Sequence, residues 1–156
     1  MDDDHYHVHA YLGILVNGTQ VALPDQIGLY EPGAIANGYT STAHCYYYIH
    51  THDASGMVHI EAPPSIPLNS SIYSLEDVLD IWGFTVGPDN IGPFDGQVRA
   101  FVARVPLRTL TASNYTEFTG DPNTIALYSH EAIWLEVGPA FVVPPQLPAV
   151  TFFTEY

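Results

Sequence analysis

Histidines recur at every second position in two short segments, His5-x-His7-x-His9 and His50-x-His52, and His59 follows one turn later. A neutral imidazole carries one lone pair, so several imidazoles on one face can converge on a transition-metal ion. In a strand, alternate side chains share a face. His5, His7, His9 and Tyr11 therefore point one way. Tyr6, Val8, Ala10, Leu12, Ile14 and Val16 point the other way, and their hydrophobicity marks that side as the core. In the second segment Tyr48, His50 and His52 share a face. With residues 53–56 as the turn, His50 pairs with His59, their Cβ atoms ~5 Å apart as directly opposite residues are. Val58 and Ile60 then fall beside Ile49 on the core side, so the apolar pattern supports that register.

The candidate metal ligands are thus His7, His9, His50, His52 and His59, with Asp53 or Glu61 able to supplement them. Imidazole ligands suit zinc, copper, nickel or iron, and the affinity series puts copper highest; copper or zinc is the expected ion. Cys45, His50 and Met57 occur in blue-copper order, but Cys45 and His50 would lie ~16 Å apart along one extended strand. Cys45 reads instead as a small packing residue. His44 and His130 each sit singly at an element edge and read as ordinary hydrogen-bonding groups.

The elements that must hold these residues are mostly strands. Residues 5–16 and 19–23 flank Asn17-Gly18, the strongest short hairpin signal. Residues 46–52 and 57–61 flank the Asp-Ala-Ser-Gly turn. A short extended piece at 27–30 and strands at 97–103, 124–128, 132–137 and 150–153 follow from composition, while 31–44 reads as a loop. One helix is expected near 74–82. Ser74 and Asp77 make a capping box, Leu75, Val78, Leu79 and Trp82 form one apolar stripe, and Gly83 ends it. The expected fold is mainly β: a single antiparallel domain over residues 1–156, sandwich or barrel-like, with that one short helix.

Composition narrows the partners. Seventeen acids oppose three basic residues, for a net charge of −14 in 156 residues. Such a chain is repelled by nucleic acid and by anionic membrane surfaces, and it attracts cations. The acidic surroundings are expected to raise the imidazole pKa values. No apolar run is long enough for a membrane helix, so no direct membrane insertion is expected from this segment. A single cysteine excludes an internal disulfide. Asn-x-Ser/Thr triplets at Asn17, Asn69 and Asn114, together with the absence of lysine, lean toward an extracytoplasmic home.

The stretch from Cys45 to Glu61, C-x4-HTHD-x-SG-x-x-H-x-E, resembles a family of uncharacterised prokaryotic proteins, many of them exported or membrane-anchored. The early H-x-H before Val16-Asn17-Gly18, the Leu75–Gly83 helix and His130-Glu-x-Ile-x-Leu-x-Val-Gly138 extend the likeness. The family pattern has a further histidine where this chain has Tyr11, which leaves His7 and His9 as the matching pair. The resemblance brings no activity with it. Three functions remain: metal sequestration or carriage; a self-assembling filament or adhesin subunit, homo-oligomeric through its sheet edges with metal at the contacts; and a metalloenzyme on the same cluster. No HExxH, phosphate loop or Ser-His-Asp order supports the last.

Overall fold

A computed structural model of the chain describes residues 6–62, 67 and 70–152. The chain begins with β1 (Tyr6–Val16) and β2 (Thr19–Val21), followed by β3 (Leu29–Pro32), β4 (Ile35–Ala36), β5 (Tyr39–Thr40) and β6 (Ala43–Tyr46). Next come β7 (Ile49–His50), β8 (Met57–Ala62) and the helix α1 (Leu75–Trp82). A small meander, β9 (Val86–Gly87), β10 (Asn90–Ile91) and β11 (Phe94–Asp95), leads into β12 (Gln97–Arg104). β13 (Thr109–Leu110), β14 (Thr116–Phe118), β15 (Glu131–Gly138) and β16 (Val150–Thr151) complete the strands. Strands hold 46% of residues and helices 10%, which settles the class as mainly β.

The main sheet runs β14-β12-β15-β1-β8-β7, with β2 paired to β1. Its pairs are antiparallel except β1 with β15, which run parallel. Turn chemistry cannot announce that pairing, because a parallel pair needs a long crossover rather than a tight turn. The turn that can be announced is present: Asn17 (φ 50°) and Gly18 (φ 84°) join β1 to β2, with Val16 opposite Thr19. Positive φ at both central residues is the type I′ geometry that matches strand twist.

Both faces of the sheet are buried. On one face Tyr6, Val8, Ala10, Leu12 and Ile14 of β1 join Val58 and Ile60 of β8 and Ile133 and Leu135 of β15. The stripe Leu75, Val78 and Leu79 of α1 closes over them. Asp77 accepts hydrogen bonds from the Ser74 backbone N (2.7 Å) and Ser74 Oγ (3.2 Å), holding the first turn, and Gly83 at φ 74° ends the helix. On the other face Tyr11 and Leu15 pack with Met57, Phe101, Trp134 and Phe152. The histidine face of β1 is therefore half apolar core rather than a solvated surface.

Several local expectations need correction. Residues 31–44 are not a loop: they form two small hairpins, β3 with β6 and β4 with β5. Asn37 (φ 52°) and Gly38 (φ 79°) turn β4 into β5, repeating the Asn-Gly device. Residues 124–128 do not form a strand. Asp121 Oδ1 accepts from the Asn123 N at 3.0 Å, nucleating a 3-10 turn over Pro122–Thr124, and only Ala126 bridges to Ser74. The 46–52 strand breaks at Tyr47 and Tyr48, both exposed, so only β7 pairs with β8. The 150–153 strand is the two residues of β16, and Phe153 lies outside the described residues.

Gly13 sits opposite Trp134 in the parallel pair, and a Cβ there would fall within the Trp134 ring. Gly13→Ala should therefore displace a wholly buried indole and destabilise the fold by about 1–3 kcal/mol, as overpacking does. Denaturant unfolding of the two proteins measures it; equal midpoints would show that the indole has room to move.

Candidate metal centre

The strand registers assemble the site. In β1 and β8 His9 lies opposite His59, and in β8 and β7 His59 lies opposite His50. Three imidazoles thus form one row across three strands, on the face away from α1. One position along the same face, His7 of β1 lies opposite Glu61 of β8. His9, His50, His52 and His59 are all buried, His50 to 1% exposure, while the side chains of His7 and Glu61 keep 38% and 39%. The five candidate ligands read from the sequence are together.

Their nitrogen atoms gather as two triads that share His59: His7, His9 and His59, and His50, His52 and His59, each within 4.8 Å. In the first, His59 Nδ1 lies 3.0 Å from His9 Nε2 and 3.4 Å from His7 Nε2. In the second, His50 Nε2 lies 3.1 Å from His52 Nε2. Two nitrogens on one tetrahedral zinc lie about 3.3 Å apart, given Zn–N bonds of about 2.0–2.1 Å. The observed separations match that spacing. Glu61 Oε1 is 3.4 Å from His7 Nε2 and 3.8 Å from His50 Nε2, so one carboxylate oxygen reaches toward both triads.

Backbone carbonyls fix the second triad's tautomers. His50 Nδ1 donates to the Tyr47 carbonyl at 2.9 Å, and His52 Nδ1 donates to the Thr40 carbonyl at 2.6 Å. A carbonyl only accepts, so each ring carries its proton on Nδ1 and turns a lone pair outward at Nε2. Those two lone pairs face each other at 3.1 Å. Gly28 sets the depth of His50: at φ 71° it packs where any Cβ would strike the Ile49 carbonyl. The Thr40 N returns a hydrogen bond to the His52 carbonyl at 2.8 Å, clasping β5 to the site. Tyr39 stacks on His52 at 4.7 Å, and Tyr46 meets His50 edge-on at 5.1 Å. Tyr39 and Thr40 belong to the stretch that reads as a loop; only the Asn37-Gly38 turn beside them could have drawn attention to it.

The remaining candidates fall away. Asp53 Oδ1 accepts from the Ser55 N at 3.0 Å and closes the turn. His44 is exposed, 4.0 Å from Glu31, and His130 stacks on Phe152 at 4.7 Å, so neither enters a triad. Cys45 is exposed on β6 and belongs to neither triad, which corrects its reading as a packing residue. His5 lies outside the described residues. The chain matches no family model, no curated protein and no solved structure.

The acidity of the chain predicts raised imidazole pKa values, and the site reverses that sign. Burial first, then the neighbouring imidazoles, lower His59 to about 2 and His9 to about 4. Burial lowers His50 as well, against the opposing pull of the Tyr47 carbonyl and Glu61. Distant carboxylates act through water, whereas desolvation acts on the ring directly. Above pH 6.5 the folded and unfolded chains both hold these rings neutral. Below it the unfolded chain takes up protons that the folded chain refuses, so stability falls with pH. Glu131, raised to about 7 by burial, contributes with the opposite sign, so the test is a difference between two proteins. Between pH 6.5 and 5 the metal-free wild type should lose about 1–2 kcal/mol more than His59→Gln, at up to 1.36 kcal/mol for each pH unit. Parallel stability–pH curves would show that His59 titrates normally.

Proposed function

We propose that this chain is an extracytoplasmic transition-metal-binding domain that sequesters or carries copper or zinc through His7, His9, His50, His52 and His59. The observation that carries this reading is the pair of opposed lone pairs on His50 and His52, 3.1 Å apart with both Nδ1 protons committed to carbonyls. Two acceptors at that distance repel unless a cation lies between them. A proton could serve only by making one ring an imidazolium, and burial resists that at His50. A metal ion answers the geometry directly, and ligating histidines characteristically donate their other N–H to a carbonyl, as these two do. The chain's net charge of −14 raises the local concentration of any cation. The Asn-x-Ser/Thr triplets and the lysine-free composition support the location, and the HTHD signature supports kinship with the exported family it resembles.

Assembly through sheet edges has less support. The outer side of β7 is already taken: the Tyr47 N donates to the Gly28 carbonyl at 2.9 Å and the Thr51 N to the Ile27 carbonyl at 3.0 Å. An incoming strand finds no free ladder there.

Protein purified without tag or chelator should contain copper or zinc by elemental analysis. His50→Ala and His52→Ala should each weaken Cu(II) or Zn(II) binding at the position they share by about 100-fold or more, exceeding the 10–100-fold typical of losing an outer-shell partner. His44→Ala and His130→Ala should leave affinity unchanged. Metal-free protein with no measurable affinity for either ion would overturn the reading.

A further inference from the structure

We infer that the cluster takes two metal ions, one in each triad, with His59 as a ligand common to both and Glu61 between them. The inference rests on the metal-binding reading and adds the number of ions and their connection. A single ion cannot gather all five histidines as they stand. Atoms bound to one ion at about 2.1 Å lie at most about 4.2 Å apart, and the nitrogens fall into two sets of three rather than one set of five. Neither set is spare. The first brings His59 Nδ1 within 3.4 Å of both His7 Nε2 and His9 Nε2, and the second holds the opposed pair His50 Nε2 and His52 Nε2.

His59 occupies the middle. Its ring stands perpendicular to His9 at 4.4 Å and to His52 at 4.5 Å, and nearly parallel to His50 at 5.5 Å, so it adjoins both halves. With Nδ1 turned to His7 and His9, Nε2 is the nitrogen left for the second ion. A ring bound through both nitrogens has lost its N–H proton to solvent, and two cations are what make that loss favourable. Glu61 offers the matching anion: its Oε1 lies 3.4 Å from His7 Nε2 and 3.8 Å from His50 Nε2. A carboxylate placed between two cations offsets their mutual repulsion.

The test is a Cu(II) titration of the full chain, followed by stoichiometry and electron paramagnetic resonance. Two equivalents should bind. The second should reduce the integrated signal below that of two independent Cu(II) ions, because a shared imidazolate couples their spins. The paired variant His7→Ala/His9→Ala and the paired variant His50→Ala/His52→Ala should each bind one equivalent with an ordinary mononuclear signal. Near-UV circular dichroism confirms that each is folded. One equivalent in the wild type overturns the second ion and leaves the metal-binding reading standing. Two equivalents with fully additive signals overturn the shared His59. A folded paired variant that binds nothing overturns the independence of the triads. No binding by the wild type overturns both this inference and the reading beneath it.

Discussion

Strand β1 is hydrogen-bonded on both sides, to β8 and to β15, and covered on both faces. Nothing about it can shift by one residue. A slip would turn Val8, Ala10 and Leu12 out of one core and drive His7 and His9 into it. The apolar core under α1 therefore fixes where the imidazoles stand, although it packs on the opposite face of the sheet. The same holds in β8, where Val58 and Ile60 are locked into that core and His59 and Glu61 follow by alternation. The energy that positions the imidazoles is hydrophobic; the imidazoles themselves cost stability, since they are buried polar rings crowded together.

That division explains what could be read in advance. The pairing of His50 with His59 needs only a turn and a period of two, and both were written locally in residues 49–60. The helix announced itself through Ser74, Asp77 and Gly83 for the same reason. The meeting of β1 with β8 was not local. The phase of each histidine segment could be derived separately, but nothing in either one states that His9 stands opposite His59. The parallel partner β15 was hidden too, because its eight buried residues give no alternation to show which neighbour it takes.

The outer wall of the site was the least legible part. Thr40 and Tyr39 lie in a stretch rich in Gly, Ala, Ser and Thr, where composition points to a loop. Thr40 contributes a backbone carbonyl, which any residue could offer, and Tyr39 a stacked ring, which any aromatic could offer. The direction of the pKa shifts was likewise beyond the sequence. Net charge is a sum over the chain, whereas the titration of His9 and His59 depends on the few ångströms around each ring.

The uneven exposure of the cluster gives it a mouth and a floor. His7 and Glu61 stand at the opening, half in solvent, while His50 lies sealed behind Tyr46 and His52 beneath Tyr39. An ion approaching from water would meet a carboxylate and a partly exposed imidazole before the buried pair below. An ion bound on the floor would leave only by parting Tyr39 or Tyr46 from the ring it covers or by retracing the path past Glu61. Tyrosines of the two small hairpins, elements that contribute no member of either triad, thus form the cover over any ion the proposed centre would hold.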